Sequence, residues 1–429
     1  MKPTRSVNKT VTILRSTESG DSRRHPTGHS FAGGPAIATF GRAGRPGCHF
    51  DPVAGVAGPP AIERHTDGLV STPKPPFTNG IRRRPSLEIL SGESADVYFS
   101  RADEILAKEG LDPHVAMEVF ARRDAVLCGI DEVKVLIAHV LKDANPDETI
   151  IEALSDGDRI EPKEVVLRIR GRYRAFGLYE TALLGILAQS TGWATAAREC
   201  VEAAAPEPVV SFGARHIHPD VTDNLDYAAI VGGCVGASTP AGARLAGLSP
   251  TGTMPHSLVL IFGDTVRAAE AFDRHMPPDV PRIILVDTFR DEAEESLRVA
   301  EALGDRLYGI RLDTPSERGR VTPELVREVR ARLDMAGHGH VRIIVSGGFN
   351  PERIQFFKAA TAPVDSYAVG SYISGARPID FTGDLKEIDG RPIAKRGRIP
   401  GLTESPRLSK VDLAAWSSLP EPAEAVVVS

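Results

Sequence analysis

The chain has 429 residues, more than one hydrophobic core usually serves, so two domains are the default. Hydrophobic residues make up 41% and charged residues 25%, no apolar run reaches the roughly 18 residues of a membrane span, and Cys48, Cys128, Cys200 and Cys234 lie too far apart for a disulfide framework or a cysteine zinc site. Up to Pro85 there are 13 Lys+Arg against 5 Asp+Glu, whereas the remainder is acidic; the acidic body argues against nucleic-acid partners, the lack of an apolar span against a membrane, and the unpaired cysteines suit a reducing cytoplasm.

Residues 1–85 are rich in Gly, Pro, Ser and Arg, as in AGGPAIATFGRAGRPG, with no sustained period of 2 or 3.6, and are expected to form a disordered basic extension. The segment is longer and richer in Gly/Pro than a transit peptide, so it reads more readily as a tail. A first α/β domain is expected over 86–205. There ADEILAKEG predicts a helix closed by Gly110, VVLRIRGRY a strand, and LYETALLGILAQSTGWATAARECVEAA a long buried helix or helix pair.

From 206 to 376 strands and helices alternate. PVVSFGARH, AIVGGCVGAS, LAGLSPTGTM, RIILVDTF, LYGIRLDT, VRIIVSGGF and SYAVGSYI are seven short apolar runs. Between them Thr322-Pro323-Glu324 and Asn350-Pro351-Glu352 carry helix-start signals, and Asp291 caps a third helix. Repeated βα units predict a parallel sheet, and seven of them an irregular seven-stranded βα barrel. Residues 377–429 are expected to return to the first domain and end in a tail.

In such a barrel the chemistry lies where strands end. Those positions hold Arg215, His216 and His218, then Ser238 and Thr239, then Thr253 and His256, Asp287, Arg311 and Asp313, Gly347 and Gly348, and Gly370 and Ser371. Two successive glycine strand ends, the first opening a helix, suit a phosphate, although either can serve only a tight turn. Arg215 and Arg311 suit carboxylate or phosphate, while Arg311 with Asp313 reads equally as a structural ion pair. His256 is a nucleophile oriented by Asp287 or simply a satisfied core histidine. His216 and His218 lack a third metal ligand, and no protein metal site is assigned.

With these residues in place, SADVYF, YRAFGLYETALLGILAQSTGWATAA, SFGARHIHP, SPTGTMPHSLVLIFGD, ILVDTF, GIRLDT, SGGFN, VGSYIS and KRGRIPG together resemble the nicotinate phosphoribosyltransferase family, in its shorter archaeal and bacterial form, from about Ser94 to Gly401. The resemblance implies a barrel with a second α/β domain. It implies synthesis of nicotinate mononucleotide from nicotinate and phosphoribosyl pyrophosphate in NAD biosynthesis, coupled to ATP hydrolysis through a phosphohistidine at His256 oriented by Asp287. It also implies a homodimer whose active site is shared between subunits. Phe212, and Tyr98 from the partner, would stack the pyridine. Arg215 and Arg311 would bind phosphate and carboxylate, Asp313 the ribose or pyrophosphate, and Gly347, Gly348, Gly370 and Ser371 the 5′-phosphate. Mg²⁺ is expected on the pyrophosphate, and structural zinc is not. Ser238 and Thr239, with no acid beside them, favour nicotinate over nicotinamide. The rivals are quinolinate phosphoribosyltransferase, for which the expected Arg/Lys cluster is sparse, and a non-catalytic sensor of nicotinate or phosphoribosyl ligands.

Overall fold

The computed structural model describes residues 85–145 and 148–417. The disorder expected of the extension therefore falls outside the described residues, Pro85 excepted.

The helix Val97–Lys108 is followed by Gly110 at φ +64°, the left-handed conformation glycine adopts without cost. Then come β1 (His114–Ala121), β2 (Ala125–Val126), β3 (Ile150–Ala153), β4 (Arg159–Ile160) and β5 (Val165–Arg172). Side chains of β1 alternate between its two faces. Val115, Met117, Val119 and Ala121 enter a core shared with the helix Ile130–Val140, while Glu118 faces the other way. The long apolar run is one continuous helix, Glu180–Ala204. Its first half packs on this core, and Trp193, Ala194, Ala197 and Cys200 pack on the next.

The second core is built on β6 (Val209–Ser211), β7 (Gly236–Ala237), β8 (Ile283–Leu285), β9 (Gly309–Leu312), β10 (Arg342–Val345) and β11 (Ser366–Val369). They form one parallel sheet in the order β7-β6-β11-β10-β9-β8. Ile310, Leu312, Ile343, Val345 and Val369 face the helices, whereas Ile283, Ile344 and Ala368 form a separate small cluster with Phe212 on the opposite face. The caps stand where the sequence placed them. Thr322 accepts from Leu325 N, Asn350 from Arg353 N, and Asp291 from Ala293 N and Glu294 N, each contributing about 1 kcal/mol.

Six parallel strands replace the seven expected, and the sheet is an open half-barrel among the described residues. The missing strand is LAGLSPTGTM. Its start completes the short helix Pro240–Leu245, and the rest is irregular up to the helix His256–Phe262. Pro250 and Pro255 remove backbone donors, and Gly247 and Gly252 supply no side chain to pack, so no ladder forms.

The chain then adds β12 (Phe381–Ile388), β13 (Arg391–Pro392) and β14 (Ser409–Lys410) to the first domain, giving the antiparallel order β13-β12-β1-β5-β3-β14. The return is fastened by buried Glu118. It pairs with Arg168 at 2.8 Å and accepts from Thr403 N at 3.0 Å and Thr403 Oγ1 at 2.7 Å.

Candidate active site

Parallel register brings the carboxyl ends of β6 to β11 to one edge, pairing Val369 with Ser211, Ser211 with Ala237 and Leu285 with Arg311. The loops there enclose a cleft of about 660 Å³. Its lining includes Phe212, Arg215, His216, Ser238, Thr239, Thr253, His256, Arg311, Asp313, Ser346, Gly347, Gly348, Gly370 and Ser371. Residues spread over 160 positions of sequence thus share one wall because six strands end together and the irregular segment before His256 joins them, Thr251 N donating to Ala237 O at 2.8 Å.

Arg311 is the fixed point. Its Nε donates to Ser346 Oγ at 2.9 Å, Nη1 to Thr253 Oγ1 at 3.0 Å and Nη2 to Asp313 Oδ2 at 2.9 Å. Its guanidinium lies 5.0 Å from the centre of the Phe212 ring, a cation–π contact that also holds the ring. Both readings of the Arg311–Asp313 pair therefore hold in geometry: it is a structural ion pair and it lines the cleft. Ser346 and Thr253 do the holding, and nothing in the sequence pattern singled out Ser346. Burial lowers the Arg311 pKa, and the charge of Arg215 adds to that. Arg215 itself has no ion pair among the described residues.

His256 begins its helix with Nδ1 3.2 Å from Thr288 Oγ1. Its Nε2 stands 3.6 Å from Asp313 and 3.8 Å from Asp287. Asp287 was expected to orient the ring, but it lies beyond hydrogen-bond reach and Thr288 takes that part. Contact with Asp313, then the charge of Asp287, raises the His256 pKa despite partial burial. For Asp313, burial pulls upward but His256 and Arg311 outweigh it, and its pKa is lowered. The Asp287 side chain is 1% exposed and neither carboxylate oxygen has a hydrogen-bond partner; burial pushes its pKa to about 6.

Thr239 is committed elsewhere. Its hydroxyl donates to Asp226 Oδ2 at 2.7 Å and accepts from Gly242 N at 3.1 Å, so it caps a helix and has no free donor for a ligand. Ser238 beside it carries no side-chain hydrogen bond among the described residues. Tyr98 lies outside the cleft. It is 58% exposed on the helix Val97–Lys108, and its hydroxyl donates to Asp96 at 3.2 Å. His218 is also outside, facing Asp220, and His216 lines the cleft without it. No group of His, Cys, Asp and Glu among the described residues is arranged to hold a metal ion by itself.

The glycine strand ends behave as two different devices. Gly347 has φ +90°, and a Cβ there would stand 3.1 Å from Asp313 Oδ1, so any side chain would be strained and would push the carboxylate. Gly370 has an ordinary negative φ, but a Cβ would come within 3.0 Å of both the His216 ring and Phe212 O, so space alone excludes it.

Residues 96–191 match the model of the quinolinate phosphoribosyl transferase N-terminal domain, and residues 193–384 that of its C-terminal domain. The crystal structure of nicotinate-nucleotide pyrophosphorylase from Pyrococcus furiosus is 41% identical, with a TM-score of 0.69 over 75% of this chain and 81% of that one. A probable nicotinate-nucleotide pyrophosphorylase (carboxylating) of Archaeoglobus fulgidus is 26% identical over 62% of this chain and 92% of its own. Nicotinate phosphoribosyltransferase pncB2 of Mycobacterium tuberculosis is 32% identical, but over 56% of this chain and 51% of its own. The chain thus spans about half the length of the first curated relatives it matches.

These matches overturn the expectation of a nicotinate phosphoribosyltransferase with nicotinate and ATP as substrates, an ATP-dependent ligase activity and a phosphohistidine. Within the site, the His256 ring is held by Thr288, and Asp287, 3.8 Å away, makes no hydrogen bond that would orient it as the expected phosphate carrier.

Proposed function

Because the chain belongs to the quinolinate phosphoribosyl transferase family, we propose that it is a glycosyltransferase joining quinolinate to phosphoribosyl pyrophosphate, without ATP, to give nicotinate mononucleotide, pyrophosphate and CO₂ for NAD biosynthesis. The observation that carries this reading is the division of charge along the cleft. Arg215, with no ion pair, His216, Phe212 and Arg311 line it together with Asp313 and His256, while Asp287 is buried outside the lining, 3.8 Å from His256.

Each part has a task in that reaction. A pyridine dicarboxylate needs cations at more than one point. Arg215 and Arg311 supply them with His216 alongside, and the Phe212 ring offers a flat face for stacking. The ring nitrogen attacks C1 of the ribose as the C1–O bond to pyrophosphate breaks. C1 gains positive character that the Asp313 and Asp287 carboxylates stabilise. Once quaternary, the nitrogen stabilises a carbanion at the neighbouring ring carbon, so the adjacent carboxylate leaves as CO₂ and that carbon takes a proton. Gly347, Gly348, Gly370 and Ser371 would receive the 5′-phosphate, and Ser238 has a free hydroxyl beside the base. Mg²⁺ is expected on the pyrophosphate, whose departing charge it would offset when bound; no cluster among the described residues is arranged to hold it alone.

No helix among the described residues is long and apolar enough to cross a membrane, and the free buried Cys128, Cys200 and Cys234 suit a reducing cytoplasm. The homodimer remains part of the proposal. Val97, Tyr98 and Ile105 leave an apolar helix surface exposed, and Tyr98 would enter the partner's cleft. Light scattering should give a dimer, with Tyr98→Ala impairing turnover; a fully active monomer would overturn it. The decisive assay supplies quinolinate, nicotinate or nicotinamide with phosphoribosyl pyrophosphate and no ATP. Quinolinate should yield mononucleotide and CO₂ in equal amounts. Mononucleotide from a monocarboxylate alone, with no CO₂, would sink the reading.

A further inference from the structure

Two arginines converge just beyond the lining of the cleft. Arg353 Nη1 lies 3.7 Å, and Arg320 Nη1 3.9 Å, from the point where a Cβ on Gly348 would stand. They arrive from different elements, Arg353 from the helix Pro351–Ala359 and Arg320 from the loop after β9. Arg353 is fixed: it donates to Gly347 O and, at 2.8 Å, to Val321 O, and its guanidinium sits 4.3 Å from the centre of the Phe349 ring. It is therefore a strut between the loops after β9 and β10. Burial, then the charge of Arg320, lowers its pKa.

Arg320 has no such employment. It is exposed and forms no ion pair among the described residues; the nearby Glu317 attracts it at longer range while accepting from Ser316 Oγ at 3.0 Å. Its backbone also sits at φ +66°, a conformation that an L side chain occupies at a cost and glycine does not. An arginine at a glycine-type backbone angle, over a turn whose two glycines both have positive φ, carries a backbone cost, and repulsion from Arg353 works against the attraction of Glu317. Both costs are offset if an anion sits between the guanidinium groups.

We propose that Arg320, braced by Arg353, is the cationic wall of the Gly347–Gly348 phosphate cradle and grips a phosphate monoester there, the 5′-phosphate of the phosphoribosyl group. The inference rests on the reading of the cleft given above, but it concerns the phosphate and is independent of which pyridine is used. Thr322 and Asn350 cap the flanking helices and hold the two loops in place.

Arg320→Gly is the informative variant, because it removes the side chain at a backbone angle glycine tolerates. The test is calorimetric binding of ribose 5-phosphate to the full chain, with ribose as control, alongside thermal unfolding. Arg320→Gly should weaken ribose 5-phosphate about tenfold, the worth of one charge-assisted hydrogen bond, with a melting temperature equal to or above that of the unaltered protein. Arg320→Lys should recover most of the affinity. Unchanged affinity in Arg320→Gly would overturn the inference, as would an unaltered protein that binds ribose 5-phosphate no better than ribose. A chain that shows the Arg320 dependence yet turns over no quinolinate would support this inference while removing the proposed reaction.

Discussion

Arg311→Ala is expected to abolish most activity and to destabilise the fold together, and both losses follow from one side chain. Arg311 is 15% exposed and its three donor directions end on Ser346, Thr253 and Asp313. Alanine leaves the Asp313 carboxylate, 18% exposed, without its 2.9 Å ion pair. Breaking such a pair from one side costs about 3–5 kcal/mol, because the remaining charge stays desolvated. Phe212 also loses the cation that steadies its ring. Losing a cleft donor from a preorganised site should lower kcat/KM by about a hundredfold or more. Arg311→Lys restores the charge but not the fork, since one ammonium cannot span three partners held by a planar guanidinium; it should recover stability better than turnover. Urea unfolding and steady-state kinetics on the three proteins check this, and an alanine variant with unchanged kcat/KM would remove Arg311 from the site.

Asp287→Asn should behave in the opposite way, gaining stability while losing function. The folded carboxyl titrates near pH 6, above its ordinary range, because burial disfavours the charged form. The folded state therefore holds this proton more tightly than the unfolded state. That contribution is fully present below the unfolded pKa and is lost as pH rises to about 6. Asparagine has no such loss, so the variant should gain on the unaltered protein between about pH 4 and 6 and keep the advantage at pH 8. The advantage is roughly 3 kcal/mol, the attraction of His256 being already contained in the raised value. Activity should fall sharply, since the buried carboxylate is then absent where positive charge develops. Denaturation curves at pH 4, 6 and 8 read the first effect. A variant no more stable than the unaltered protein at pH 8 would show that Asp287 is satisfied in a way its unpartnered oxygens do not suggest.

What the sequence conveyed well was local. Thr322, Asn350 and Asp291 are caps because a short oxygen-bearing side chain ahead of an amphipathic run has few other uses, and all three accept the expected backbone N–H. Glycine strand ends and arginines at strand ends were legible for the same reason. What failed depended on tertiary partners. The run 245–254, broken by Pro250 and followed by Pro255, had strand-like apolarity but no ladder to join. Thr239 read as a ligand contact because Asp226, thirteen residues earlier, could not be known to claim its hydroxyl. Thr288 and Ser346 gave no signal, since a hydroxyl at a strand end becomes a positioning group only when a histidine or arginine from another strand arrives beside it. The choice of base failed on different grounds. Arginines, a carboxylate pair and glycine turns serve any transfer of a phosphoribosyl group to a pyridine acid, so they announce the chemistry without naming the acid.

The antiparallel sheet has a consequence for how the chain is made. β1 lies between β5, which follows it closely, and β12, which begins at Phe381. On a ribosome adding about 5–20 residues per second, β12 emerges roughly 10–50 s after β1. Throughout that interval one edge of β1 has backbone donors and acceptors with no strand to meet them, and Glu118 lacks Thr403. The half-barrel, built from strands between the two, can assemble during the wait, whereas the first domain closes only when the last part of the chain arrives. A nascent chain stalled before residue 381 would therefore present a finished parallel sheet beside an open, aggregation-prone edge, the kind of intermediate that chaperones shield.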